Sequence, residues 1–198
     1  MVSPLATVRN SKLKGSVVVG DYSKILDTVI LGNVSVGRRS TINGPSEIFA
    51  LVNTVEIGNF CSFAKHVTIQ EYNHPTNRCT TYFIRSNMFE ESMENDFVSK
   101  GQIVIGSDVW IGKACVVLSG TKIGHGAIIG ANSVVTSSIP PYAIAVGSPA
   151  RVVKYRFDSA IIEQLLYLQW WHWIDERIRQ NNALFDGVLT QEKLDHIV

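Results

Sequence analysis

Six positions, each six residues after the last, all carry isoleucine or valine: Ile105, Ile111, Val117, Ile123, Ile129 and Val135. Neither an amphipathic helix nor a simple alternating strand has this spacing, since they repeat a face about every 3.6 and every 2 residues. A period of six suits a prism with three flat faces. Each face is a short strand followed by a tight corner, and the aliphatic side chain points inward onto its equivalent one coil away. The following residue is often glycine, as at Gly106, Gly112, Gly124 and Gly130. We expect it to turn the corner with a positive φ, which glycine adopts freely and β-branched residues do not. The fourth residue after each aliphatic is small or modest (Val109, Cys115, Thr121, Ala127, Ser133), as a narrow interior requires.

The same step recurs earlier. Ile30, Val36, Ile42 and Ile48 form one run, and Ile57, Phe63 and Ile69 another, with the register slipping by three between them. Val19 and Ile25 suggest that the pattern begins near residue 17. Two segments interrupt it. Residues 71–101 break the repeat, yet Ile69 and Ile105 are 36 apart (105 − 69), a multiple of six, so the coil ejects a long loop and resumes in phase. Loops of this length in a compact domain are commonly functional. Tyr72, Tyr82, Phe83, Met88 and Phe89 are expected to anchor it. After Pro149, Asp158 is a candidate N-cap for a helix whose apolar residues are Ile161, Ile162, Leu165, Leu166 and Trp170. Trp170, Trp171 and Trp173 read as core or interface residues, and the tail from Leu184 as a short helix or frayed end. The expected class is all-β: a domain over residues 1–156, a protruding loop at 71–101, and a helical segment at 157–198.

The chain has 198 residues, 45% of them hydrophobic, enough for one sizeable core. A formal charge of +1 gives no electrostatic case for a nucleic-acid partner. No apolar stretch approaches the roughly 20 residues that span a bilayer. The first ten residues lack a signal-peptide core. Three cysteines, Cys61, Cys79 and Cys115, follow no metal-binding spacing, and an odd number fits a reducing compartment. The sequence is therefore expected to act in the cytoplasm.

A filled prism leaves no room for an internal site, so chemistry must lie outside, between the loop and a neighbouring face. Stacked strands with flat apolar faces also favour association, and a trimer would form three shared grooves. Of the five histidines, His74 stands out by its place in the loop, within Tyr72-Asn73-His74-Pro75. A neutral imidazole there can take a proton from a hydroxyl or amine near pH 7. Cys61 and Cys115 fall at small inward positions, and packing accounts for them.

Several segments resemble the hexapeptide-repeat acyltransferases, in particular the branch of chloramphenicol and streptogramin acetyltransferases and its sugar O-acetyltransferase relatives. They are residues 58–62, the loop with His74 and Thr80-Thr81-Tyr82-Phe83, residues 105–112, 124–131 and 140–150, and Arg156-Phe157-Asp158 before the tryptophan-rich stretch. The resemblance covers roughly residues 17–175. It implies a left-handed parallel β-helix and a homotrimer, with acetyl-CoA as donor, His74 as base, and no covalent acetyl-enzyme. On matching positions, Trp110, Lys113, Ala131, Thr136 and Ser137 would line the donor's arm, and Arg151 and Lys154 would approach its phosphates. The family often has lysine where this chain has Ser137. Tyr22, Tyr72 and Tyr82 are candidates for the acceptor pocket.

Two rivals share the fold. A γ-class carbonic anhydrase needs three histidines around zinc. Here His66 and His125 lie on separate coils, with no second histidine close after His125, so no metal is expected. A non-catalytic β-helix would not need the loop or the series from Trp110 to Lys154. For the acceptor, the segment Asn73-His74-Pro75-Thr76-Asn77-Arg78 resembles the sugar and polysaccharide O-acetyltransferases of the family more closely than its antibiotic-modifying members, which implies a sugar or glycan hydroxyl. An antibiotic hydroxyl or an amino-sugar nitrogen is the alternative.

Overall fold

The computed structural model of the protein describes residues 1–197. Among the described residues fifteen strands, all of two to five residues except Lys24–Val36 and Thr41–Ile57, form one continuous sheet wound into a three-faced column. Every pairing is parallel except that of Ala143–Val146 with Arg151–Tyr155 at the end. The column is a left-handed parallel β-helix, an exception to the right-handed crossover that ordinary parallel strands follow.

Three stacks of inward side chains run its length. The first face stacks Ile25, Ile42, Phe63, Ile111, Ile129 and Ala145. The second stacks Ile30, Ile48, Ile69, Val117 and Val135. The third stacks Val19, Val36, Ile57, Ile105 and Ile123, and closes on Ile139. All of these are buried. Each large aliphatic contributes about 1.5–3 kcal/mol by leaving water. The small fourth positions, from Val109 to Ser133, are buried as well. The column starts earlier than the sequence suggested: Val8 and Leu13 already pair beneath Ile25 and Ile30.

The glycines after the aliphatics play a different part from the one expected. None of Gly58, Gly106, Gly112, Gly124 or Gly130 has a positive φ. The left-handed residue comes two positions later, at Phe60, Asp108, Ala114, Gly126 and Asn132. What excludes a side chain is the next coil. A Cβ on Gly106 would lie 2.7 Å from the backbone nitrogen of His125, and one on Gly124 would lie 2.4 Å from that of Pro141. Glycine here permits close stacking.

Each corner of the prism has its own use. The corner between the second and third faces ejects the loop, which leaves after Thr68–Gln70 and returns at Ile103–Ile105. One coil below, the same corner carries the three-residue slip, at Leu51, Val52 and Asn53. Glu71 joins the two features. Its buried carboxylate accepts from the Val52 N–H at 3.0 Å, from Asn53 Nδ2 at 2.8 Å and from the Ser99 hydroxyl.

The corner between the third and first faces is covered by the C-terminal segment. The helix Ser159–Leu168 begins at Asp158, whose side chain accepts from the Ile161 N–H at 2.9 Å. Trp171 and Trp173 are buried in a second core with Tyr142, Leu165, Leu184 and Leu194. Trp171 stacks on His125 at 4.6 Å. Asp175 takes Arg38 and Arg39 from the corner below, and Arg156 pairs with Asp108 at 2.9 Å. The tail forms a short turn at Asn182–Phe185 and a helix at Gln191–Asp195; Val198 lies outside the described residues.

Candidate active site

The loop is folded on itself around a small aromatic cluster. Tyr72 packs on Phe97 at 4.3 Å, and Phe83 meets Phe97 edge-on at 5.3 Å. Burial pushes the Tyr72 phenol above its ordinary pKa. Asn73 and Val98 exchange backbone hydrogen bonds across the loop's neck. Asp96, deep in the loop, accepts from the Ser86 N–H and hydroxyl, both at 2.8 Å, and from the Arg85 N–H at 3.3 Å. Burial works against its charge, but those donors and Arg78 overcome it, so the carboxyl is held below its usual range. Tyr82, Met88 and Phe89 do not anchor the loop as expected. They stand exposed on its outer side, because Phe83 and Phe97 already fill its small interior.

His74 sits on this frame. Its ring stacks on Phe83 at 4.2 Å with an interplanar angle of 13°. Its Nδ1 lies 2.6 Å from the Thr81 carbonyl oxygen. A carbonyl only accepts, so Nδ1 carries the hydrogen, and the neutral ring keeps its lone pair on Nε2. His74 opens on a cleft of about 660 Å³ between the loop and the column. Polar groups from Asn73, Thr76, Ser99, Lys100, Ser119 and Thr136 line it, with Leu118 and Val98. Asn73 Nδ2 donates to the Ser119 hydroxyl at 3.2 Å, which ties the loop to the column beside the histidine.

The other expected site residues fall into two groups. Thr136 lines the His74 cleft, and Ser137 follows it in the same corner. Trp110 stands on the outside of the first face, 52% exposed, in a row with Ser62, Ile128 and Ile144. Lys154 extends that row by pairing with Ile144, and Arg151 begins the same exposed final strand. Lys113 and Ala131 lie one coil apart at the corner between the first and second faces, where the Asn132 N–H bonds the Lys113 carbonyl. One protomer therefore does not bring the Trp110 group to His74, since the second face separates them. Tyr72 and Tyr82 belong to the loop. Tyr22 stands apart, at the corner between the third and first faces, under the Arg39 guanidinium at 4.6 Å.

Sequence reasoning passed over Glu71, Ser99, Ser119, Phe83 as the partner of His74, and Asp96. The one visible signal was an acidic residue at each end of a loop otherwise bounded by apolar strands. The cysteines read as packing hold that place: Cys61 and Cys115 are buried, and burial pushes the Cys61 thiol up to about 12. His66 and His125 lie at different corners. His125 accepts from the Ser107 N–H at 2.9 Å, and burial, then the nearby His172, lowers its pKa. Among the described residues no group of three His, Cys, Asp or Glu could hold an ion, and no helix is long and apolar enough to cross a membrane.

Comparison with known proteins agrees with this architecture. Residues 102–137 match the bacterial transferase hexapeptide family, described by six repeats. A probable macrolide acetyltransferase of Lysinibacillus sphaericus is 42% identical over 146 residues, which are 70% of this chain and 80% of that protein. A chloramphenicol acetyltransferase of Klebsiella aerogenes is 37% identical over 134 residues; the match covers 65% of this chain and spans 64% of that relative's length. Among solved structures, an N-acyltransferase of Bacillus cereus, in complex with dTDP and coenzyme A, superposes with a TM-score of 0.65. It covers 83% of this chain and 90% of its own, at 19% identity, a likeness of fold.

Proposed function

The chain belongs to the hexapeptide-repeat acetyltransferases, and from that premise we propose that it transfers acetyl from acetyl-CoA to a hydroxyl of a sugar or polysaccharide-type acceptor, with His74 as general base. The observation that carries this reading is the hydrogen bond from His74 Nδ1 to the Thr81 carbonyl, which leaves Nε2 as the basic atom beside the cleft. Nε2 takes the proton of the acceptor hydroxyl as its oxygen bonds to the acetyl carbonyl carbon. The carbon–sulfur bond of the thioester then breaks, and the proton passes to the departing thiolate of coenzyme A. Direct attack needs no acetyl-enzyme. Backbone N–H groups would meet the charge that develops on the carbonyl oxygen.

In this reading Trp110 packs on the donor's arm, Lys113 and Ala131 offer backbone amides, Thr136 and Ser137 lie further along, and Arg151 and Lys154 meet the phosphates. The Trp110 group lies on the first face and its corner with the second, while Thr136 and Ser137 lie at the His74 corner, so the two groups would serve different grooves of one copy. Three copies around an axis would set one copy's Trp110 group against the next copy's His74. The hydroxyls of Thr76, Ser99, Ser119 and Thr136 along the His74 cleft support an acceptor rich in hydroxyls. The three free cysteines go with a cytoplasmic setting.

The names of the relatives favour a second reading, an antibiotic hydroxyl as acceptor. Both readings are tested by release of coenzyme A thiol against a panel of nucleotide sugars, glycans, chloramphenicol and a macrolide. The first predicts turnover with a sugar or glycan alcohol and an O-acetyl product. Turnover with the antibiotics alone selects the second, N-acetylation of an amino sugar contradicts both, and no thiol release with any acceptor contradicts the transferase itself.

A further inference from the structure

A second cavity lies at another corner, between the column and the C-terminal segment. Its volume is about 440 Å³, and its polar floor is made by Asp108, Tyr142 and Arg156. Phe157, Leu165 and Trp170 form apolar walls. The proposed mechanism uses none of these residues, and the third face of the column separates this corner from the one that carries the His74 cleft.

Two polar groups on the floor are incompletely used. Tyr142 is 1% exposed, and its hydroxyl has no hydrogen-bond partner. A buried hydroxyl left alone is costly, so it marks a place where something belongs. Burial, then the negative charge of Asp108, pushes the phenol up, so it stays an O–H donor. Asp108 Oδ2 accepts from Arg156 at 2.9 Å, while among the described residues Oδ1 takes part in no hydrogen bond. Arg156 is occupied, holding Asp108 and the Gly126 carbonyl. The floor thus offers one donor and one acceptor close together, beneath aromatic and aliphatic walls.

We infer that this cavity is a binding site for a small, uncharged, hydroxylated ring compound. A single ligand hydroxyl satisfies both groups at once: it accepts from Tyr142 and donates to Asp108, while its ring lies among Phe157, Leu165 and Trp170. An anion is disfavoured by Asp108, and a cation by Arg156. A compound without a hydroxyl leaves Tyr142 as it is now. Val188, 82% exposed, stands at the rim.

The test uses the full chain and 2-naphthol as the probe, measured by equilibrium dialysis, with naphthalene for comparison. The expected result is saturable binding of one 2-naphthol per chain, about tenfold tighter than naphthalene, the size of one neutral hydrogen bond. Tyr142→Phe should shrink that difference to what the hydroxyl gains from Asp108 alone, while the protein stays folded, as it loses only an unpaired hydroxyl. Val188→Trp, which fills the rim from outside the core, should abolish binding while turnover of acetyl-CoA is unchanged. Absence of saturable binding would mean that water alone fills the cavity and would overturn the inference. So would binding that ignores the hydroxyl and both substitutions.

Discussion

The column and the loop it ejects are held by opposite kinds of interaction. In the column every coil repeats one rule, an inward aliphatic followed by close backbone stacking, and each residue's partner is its own equivalent above or below. The loop has no repeat. It is held by a small aromatic cluster around Phe97 and by a few polar contacts that occur once: Glu71 to Val52, Asn53 and Ser99, Asp96 to Ser86 and Arg85, and Asn73 to Ser119. Repetition gives the column a rigid wall, with no room for a side chain at close approaches such as Gly106 and Gly124. The loop is free to be individual, and the candidate base sits there.

Mutations at the two places should therefore separate chemistry from stability. The largest effect is expected from His74→Ala, with kcat lowered 10²- to 10⁴-fold, as for a lost general base, while the thermal unfolding midpoint stays near that of the parent. Next, Ile111→Ala in the middle of the first stack should cost about 2–5 kcal/mol in denaturant unfolding, because Phe63 and Ile129 above and below cannot close the gap. Glu71→Gln should cost about 1–3 kcal/mol, felt as loosening of the loop. Hydrogen exchange should speed up at Val52 and across 71–101 while column amides keep their protection. If column protection falls equally, the two regions are one unit and the comparison fails.

The smallest effect concerns the arginine clamp on the C-terminal segment. The hydrogen bond from Arg39 does most to hold the Asp175 carboxyl below its ordinary range, against burial and with help from Arg38. A depressed carboxylate stabilises the fold above its unfolded pKa, and that contribution is lost as pH falls through the folded one. Unfolding followed downward from pH 5 should show Asp175→Asn losing less stability than the parent, by no more than about 1 kcal/mol for so exposed a pair.

The column was legible because its rule is local and periodic; Ile105 to Val135 alone define three faces. The role of the glycines was not legible, because it depends on how near His125 and Pro141 come from the next coil, which spacing along one chain does not contain. Asp158 was readable as a cap because its partner is three residues away. His74 could be singled out by its position in the loop and by family resemblance. Its support could not: Thr81 and Phe83 are ordinary residues until the loop folds back. The three-residue slip at 51–53 was visible as a defect in the repeat, and only the fold shows it to be where Glu71 anchors the loop.

The central claim is that the column's wall and the loop's histidine meet only between neighbouring copies. Mixing two variants, His74→Ala and Trp110→Ala, each impaired alone, tests this by acetyl-CoA turnover after joint unfolding and refolding. The account predicts that activity returns in the mixture, because about a quarter of the grooves in randomly mixed assemblies pair two intact halves. A mixture no more active than the average of its two components would contradict it.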